Sequence, residues 1–176
     1  MADEDFKNAC YTGNLELAKE IYEKYKIDVH KKNDLIFRWT CRYGHLEILK
    51  WLYSLGVDVR INNDQSFVLA CSGGNLDVAK WLYEMDSNID INVNDSEPLI
   101  MACTSGNLDL VKWLTNLNKK QNYEQAFIQC CYFKHKECAK WILKVGKIIL
   151  NKYYLVYEDN KINRYKNCDI IKWLET

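Results

Sequence analysis

The sequence predicts an all-α fold: a solenoid of five to six helix-turn-helix units with short hairpin tips. Three observations carry that expectation. Cysteines recur at Cys10, Cys41, Cys71, Cys103 and Cys131, spaced by 31, 30, 32 and 28 residues and set in similar surroundings each time. Tryptophans keep step with them at Trp51, Trp81, Trp113, Trp141 and Trp173. Between the two ladders a glycine recurs with Asn or His behind it, at Gly13-Asn14, Gly44-His45, Gly74-Asn75 and Gly106-Asn107. Self-similarity at a period of about 30 residues marks stacked units, none of which buries its apolar face alone.

Each unit reads in the same order. A short apolar segment such as Phe67-Val68-Leu69-Ala70-Cys71 forms a first helix, whose small Ala and Cys let the next layer approach closely. Gly13, Gly44, Gly74 and Gly106 then supply the left-handed residue that ends it. Asn14, Asn75 and Asn107 follow as N-caps, with Glu16, Asp77 and Asp109 in the first turn, where the helix dipole favours negative charge. A second helix starts there; in the third unit Leu76, Val78, Ala79, Trp81 and Leu82 cover its apolar face, while Asp77 and Lys80 face water. The connections Val57-Asp58-Val59-Arg60-Ile61-Asn62-Asn63-Asp64 and Ile89-Asp90-Ile91-Asn92-Val93-Asn94-Asp95 alternate apolar and polar residues and end in Asn-Asp, which predicts a short projecting hairpin or turn. The units fall at about 4–33, 34–63, 64–95, 96–122, 123–150 and 151–176, a single repeat domain over 1–176. Terminal units must hide their outer faces from water, and both are atypical. The first begins Asp3-Glu4-Asp5 and has Glu20 in place of the tryptophan; the last contains an irregular insert, 147–166, which predicts a distorted cap whose second helix runs from Asp169 to Glu175.

Composition narrows the chemistry. The 24 basic residues balance the 24 acidic ones, so no global field draws the protein to nucleic acid or an anionic membrane. No apolar run reaches membrane-spanning length and no secretory h-region follows the N-terminus, which points to an intracellular protein, cytoplasmic or nuclear, and a monomer. Eight cysteines suggest disulfides, but equivalent atoms of adjacent layers lie about 8–10 Å apart, whereas a disulfide requires Cα atoms within about 7 Å. Buried free thiols are therefore expected. Cys131, His135 and Cys138 fall on one helical face, yet a turn between Tyr132 and Lys136 would break it and no Cys-x-x-Cys is present, so no metal is assigned. His30, His45 and His135 sit at turns or helix starts, and no nucleophile elbow, phosphate loop or metalloprotease motif occurs. No catalytic residue and no cofactor is assigned. The Trp ladder reads as inter-layer core rather than a stacking platform for bases, with Trp39 outside it.

The segment from Gly44-His45-Leu46-Glu47-Ile48-Leu49-Lys50-Trp51-Leu52 to Leu55-Gly56-Val57-Asp58-Val59 resembles the ankyrin repeat consensus, and the resemblance runs from residue 5 to about 145. The Ala-Cys, Gly-Asn-Leu and Ala-Lys-Trp-Leu-Tyr usage is similar to that of ankyrin proteins of giant DNA viruses of amoebae. The family's Thr-Pro-Leu-His segment is Gln65-Ser66-Phe67-Val68 in one unit and Glu97-Pro98-Leu99-Ile100 in another, so apolar packing is expected to replace the family's polar ties between units. The resemblance implies a non-enzymatic module that binds a protein partner on its concave face. The residues it implicates are Tyr11, Arg38, Arg42, Tyr43, Asn63, Asp64, Asn94, Asp95, Tyr132 and Phe133. Arg42, Tyr43 and Tyr132 would flank a shallow groove, since Tyr, Phe and Arg dominate interface energetics. A viral protein acting on host proteins is the leading expectation. A ubiquitin-ligase adaptor, for which no F-box-like segment is visible, and a structural virion component are the alternatives.

Overall fold

A computed structural model describes residues 2–148, 153–158, 161–166 and 173–174. Helix follows helix through most of the chain: α1 (Ala2–Tyr11), α2 (Leu15–Tyr25), α3 (Lys31–Tyr43), α4 (Leu46–Ser54), α5 (Ile61–Ser72), α6 (Leu76–Met85), α7 (Val93–Ser105), α8 (Leu108–Leu117), α9 (Tyr123–Tyr132) and α10 (Lys136–Gly146). Two compact units divide it, Met1–Asp90 and Ile91–Thr176. The all-α helix-turn-helix architecture is the one the repeat predicts, and Gly13, Gly44, Gly74 and Gly106 all adopt left-handed φ as expected.

In the first unit α1, α3 and α5 lie side by side, each backed by its own second helix. Phe6, Phe37 and Phe67 are buried between them, and Cys10, Cys41 and Cys71 pack beside the phenylalanines with no exposed surface. Each tryptophan reaches back onto the preceding layer. Trp51 meets Phe6 at 6.2 Å and Tyr22 edge-on at 5.5 Å; Trp81 meets Phe37 at 6.4 Å and Tyr53 edge-on at 5.9 Å. The ladder is therefore inter-layer core. Glu20, in the corresponding place on the first layer, is exposed. In the second unit Thr115 stands where the first has Tyr22 and Tyr53, and its hydroxyl accepts the Trp141 indole N–H at 3.0 Å, so loss of the tyrosine ring is offset by a hydrogen bond.

The tips depart from expectation. No strand forms at the connections; instead the first helices open on left-handed turns, with Asn62, Asn63 and Asp64 at φ 58–59° and Asn94, Asp95 and Ser96 at φ 50–70°. Short polar side chains tolerate this conformation because they hydrogen-bond locally. Immediately upstream, Asp28 accepts the His30 N–H at 3.0 Å and Asp58 the Arg60 N–H at 2.9 Å, closing a turn that leaves no ladder for a hairpin. The last residue of each left-handed turn points inward: Asp34, Asp64 and Ser96 are buried.

The irregular C-terminal insert forms strands where the structure describes it beyond residue 148. It contains an antiparallel pair, β1 (Tyr153–Glu158) and β2 (Lys161–Lys166), with Tyr153 opposite Lys166 and Glu158 opposite Lys161. Of the helix expected over 169–175, Trp173 and Leu174 are helical; the rest lies outside the described residues.

Candidate protein interface

The polar ties between layers are present, made by residues other than Thr-Pro-Leu-His. His45 Nε2 sits 2.8 Å from the carbonyl of Tyr11, Asn75 Nδ2 donates to the carbonyls of Cys41 and Arg42 at 2.9 and 2.7 Å, and His135 Nε2 sits 3.0 Å from that of Thr104. A carbonyl only accepts, so each ring nitrogen carries the proton. Each donor satisfies an orphan carbonyl at the end of a first helix in the preceding layer. This corrects two expectations: apolar packing does not replace the ties, and Asn75 does not cap its helix by its side chain, whereas Asn14 and Asn107 accept the N–H of Leu17 and Leu110 at 3.1 and 3.0 Å. The tie needs a glycine opposite. A Cβ at Gly44 would lie 2.5 Å from Asn75 Oδ1, and one at Gly106 would overlap His135 Nδ1, on backbone that is already left-handed. Gly106→Ala should therefore cost about 2–3 kcal/mol: the left-handed penalty plus a hydrogen bond whose part-buried carbonyl is left unmet. Denaturant titration of Gly106→Ala, His135→Ala and the double variant checks it. The expected result is a double variant at least about 1 kcal/mol less destabilised than the two singles added; strict additivity would show that glycine and histidine are uncoupled.

The tip residues are largely engaged within the fold. Asp64, only 1% exposed, takes Arg60 Nε at 2.9 Å and accepts the Asp90 N–H at 3.0 Å, so its carboxylate is not presented at the surface. Asp95 accepts from Asn122 Nδ2 at 2.6 Å, and Ser96 Oγ accepts the Asn122 N–H at 3.0 Å. Asn63 and Asn94 are exposed, Asn94 donating to Glu97 at 2.7 Å.

At the other end of the first helices, side chains gather. Tyr11 at the end of α1 and Tyr43 at the end of α3 lie 5.0 Å apart ring to ring, and Trp39, one turn before Tyr43, is 6.5 Å from it. The Arg42 guanidinium lies 5.7 Å over the Trp39 ring and donates to Ser72 Oγ of the next layer at 2.8 Å. Arg38 donates to the Lys32 carbonyl at 3.2 Å. Tyr43 is 48% exposed. Burial, with Tyr43 beside it, pushes the Tyr11 phenol up to about 12, so it stays a neutral donor. The structure thus brings Tyr11, Arg42 and Tyr43 together with Trp39, which the ladder left out. Its signal was local: Arg42 and Tyr43 follow at i+3 and i+4 on one helix. In the second unit Tyr132 and Phe133 meet edge-on at 4.8 Å, and Phe133, 46% exposed, stacks on His135 at 6.3 Å.

Among the described residues no group of three or more His, Cys, Asp or Glu is placed to hold a metal ion; His135 instead ties to Thr104. No described helix is long and apolar enough to cross a membrane.

The family model for ankyrin repeats, three copies, matches residues 6–95 and 69–153. No curated protein matches the sequence. The matched stretches span the helix pairs, glycine turns and interlayer ties described above, and the chain belongs to the ankyrin repeat family.

Proposed function

We propose that this protein binds a protein partner through the surface of Tyr11, Trp39, Arg42 and Tyr43. Ankyrin repeats are protein-protein interaction modules. The observation that carries the specific reading is the convergence of three aromatic rings and a stacked guanidinium from successive layers onto one accessible surface. Trp, Tyr and Arg are the types that supply most binding energy, and here stacking holds each in place before a partner arrives, which lowers the entropy cost of association. The similarity to ankyrin proteins of amoebal giant viruses makes an amoebal lysate the first source of partners to probe, with the protein acting on host proteins. Affinity capture should recover a specific partner with the unsubstituted chain and at least about tenfold less with Arg42→Ala/Tyr43→Ala, at unchanged helical circular dichroism. Equal recovery by both proteins would remove this surface from the function.

A further inference from the structure

The polar groups of this surface are unevenly matched. Arg42 gives one N–H to Ser72 and lies over Trp39, and no carboxylate pairs with it among the described residues. Arg60, at the tip that opens α5, is by contrast paired with Asp64. A guanidinium fixed by stacking keeps its remaining donors in the planar fork that matches a carboxylate. Arg38 lies four residues earlier on α3, so the two arginines project from one helix face about 5–6 Å apart at their Cβ atoms. The nearby phenol of Tyr11 is a further donor. Glu4, the acidic residue closest to Tyr11 in influence, is paired with Lys7. The face is thus rich in donors and positive charge, floored by aromatic rings.

We infer that this surface takes an extended acidic segment of the partner, with two carboxylates two residues apart meeting Arg38 and Arg42 and an apolar side chain two residues further on seated against Tyr43; the inference rests on the binding surface proposed above. An extended chain rises about 3.3 Å per residue and places alternate side chains on one face, so residues two apart match the spacing of the arginines. The carboxylates provide the bidentate partner that Arg42 lacks, and the aromatic floor shields both charges from water, strengthening the pairing.

A random peptide-display library panned on the intact protein tests this directly. Expected is enrichment of sequences with Asp or Glu two residues apart followed by an apolar residue. Resynthesised as labelled peptides, these should bind at least about tenfold more weakly to Arg42→Glu and to Arg38→Glu/Arg42→Glu, and several-fold more weakly at high salt. Circular dichroism verifies that the variants fold, and Arg42→Gln, which removes charge without repulsion, should fall between. Enriched peptides without acidic pairs that still lose binding to Tyr43→Ala would overturn the acidic segment and leave the surface standing. Peptides indifferent to both Arg42 and Tyr43 would overturn both readings, and recovery of nothing above the unselected background would overturn the acidic segment.

Discussion

Raising the pH from about 8 to about 11 should unfold this protein, with most of the stability lost above about pH 9. Burial pushes the Cys10 thiol up to about 12 and raises those of Cys41 and Cys71 further. Contact with Cys103 raises Cys130, and contact with Cys130 raises Cys138, burial adding to both. An unfolded thiol ionises near about 8.5. The folded state therefore holds these protons more tightly, so the stability they contribute is complete below about 8.5 and is lost as pH rises through the window up to the folded values. Each such thiol removes about 1.4 kcal/mol per pH unit there, and five together remove about 14 kcal/mol over about two units, comparable to a typical domain stability of about 5–15 kcal/mol. The measurement is the urea midpoint by far-UV circular dichroism across that range, repeated for Cys71→Ala, whose slope should be shallower by about one proton. That comparison separates thiols from ionising tyrosines and lysines. A midpoint that does not move between about pH 8 and 10.5 would contradict the mechanism.

Why thiols rather than larger side chains fill these positions is visible in the packing. Cys10, Cys41 and Cys71 follow Ala9, Thr40 and Ala70, and this run of small side chains sits where α1, α3 and α5 lie beside one another. That part was legible in the sequence because period and residue size are local properties. The glycine turns were legible for the same reason, since a left-handed residue between two helices has few chemical solutions. The ties of His45, Asn75 and His135 were not, because each depends on a carbonyl 31 to 34 residues earlier and on empty space above a glycine. The tips stayed open between hairpin and turn because Asn-Asp serves both equally well; the choice fell to Asp64 and Ser96, whose side chains bond to the backbone of the next layer. Asp64 thereby left the set of surface residues, while Trp39 entered it through Tyr43 and Arg42. The strand pair β1 and β2 interrupts the repeat, so it has no neighbouring copy in the sequence against which its pattern stands out.

Trp81→Ala should cost about 3–5 kcal/mol, more than any other single truncation proposed above. The side chain is 9% exposed and fills the space between Phe37 and Tyr53 of the preceding layer, with Tyr53 edge-on at 88°. Truncation removes the buried area of the indole, the favourable ring-edge contact and the lid over Phe37, and helices paired through a tight glycine turn do not close readily over such a void. Trp81→Phe keeps an aromatic edge for Tyr53 and should lose about half as much. Stability in a repeat stack is a sum of unit and nearest-neighbour terms, so the loss should appear first in α3 to α6. Hydrogen exchange is expected to show those amides opening well before the ones of α9 and α10, and equilibrium unfolding in urea should broaden or divide into two steps. A loss below about 1 kcal/mol, or uniform acceleration of exchange through both units, would mean that the tryptophan ladder does not tie the layers. Glu20→Trp completes the logic from the opposite side: Glu20 is exposed, so the substitution should leave stability within about 0.5 kcal/mol while enlarging an exposed apolar surface.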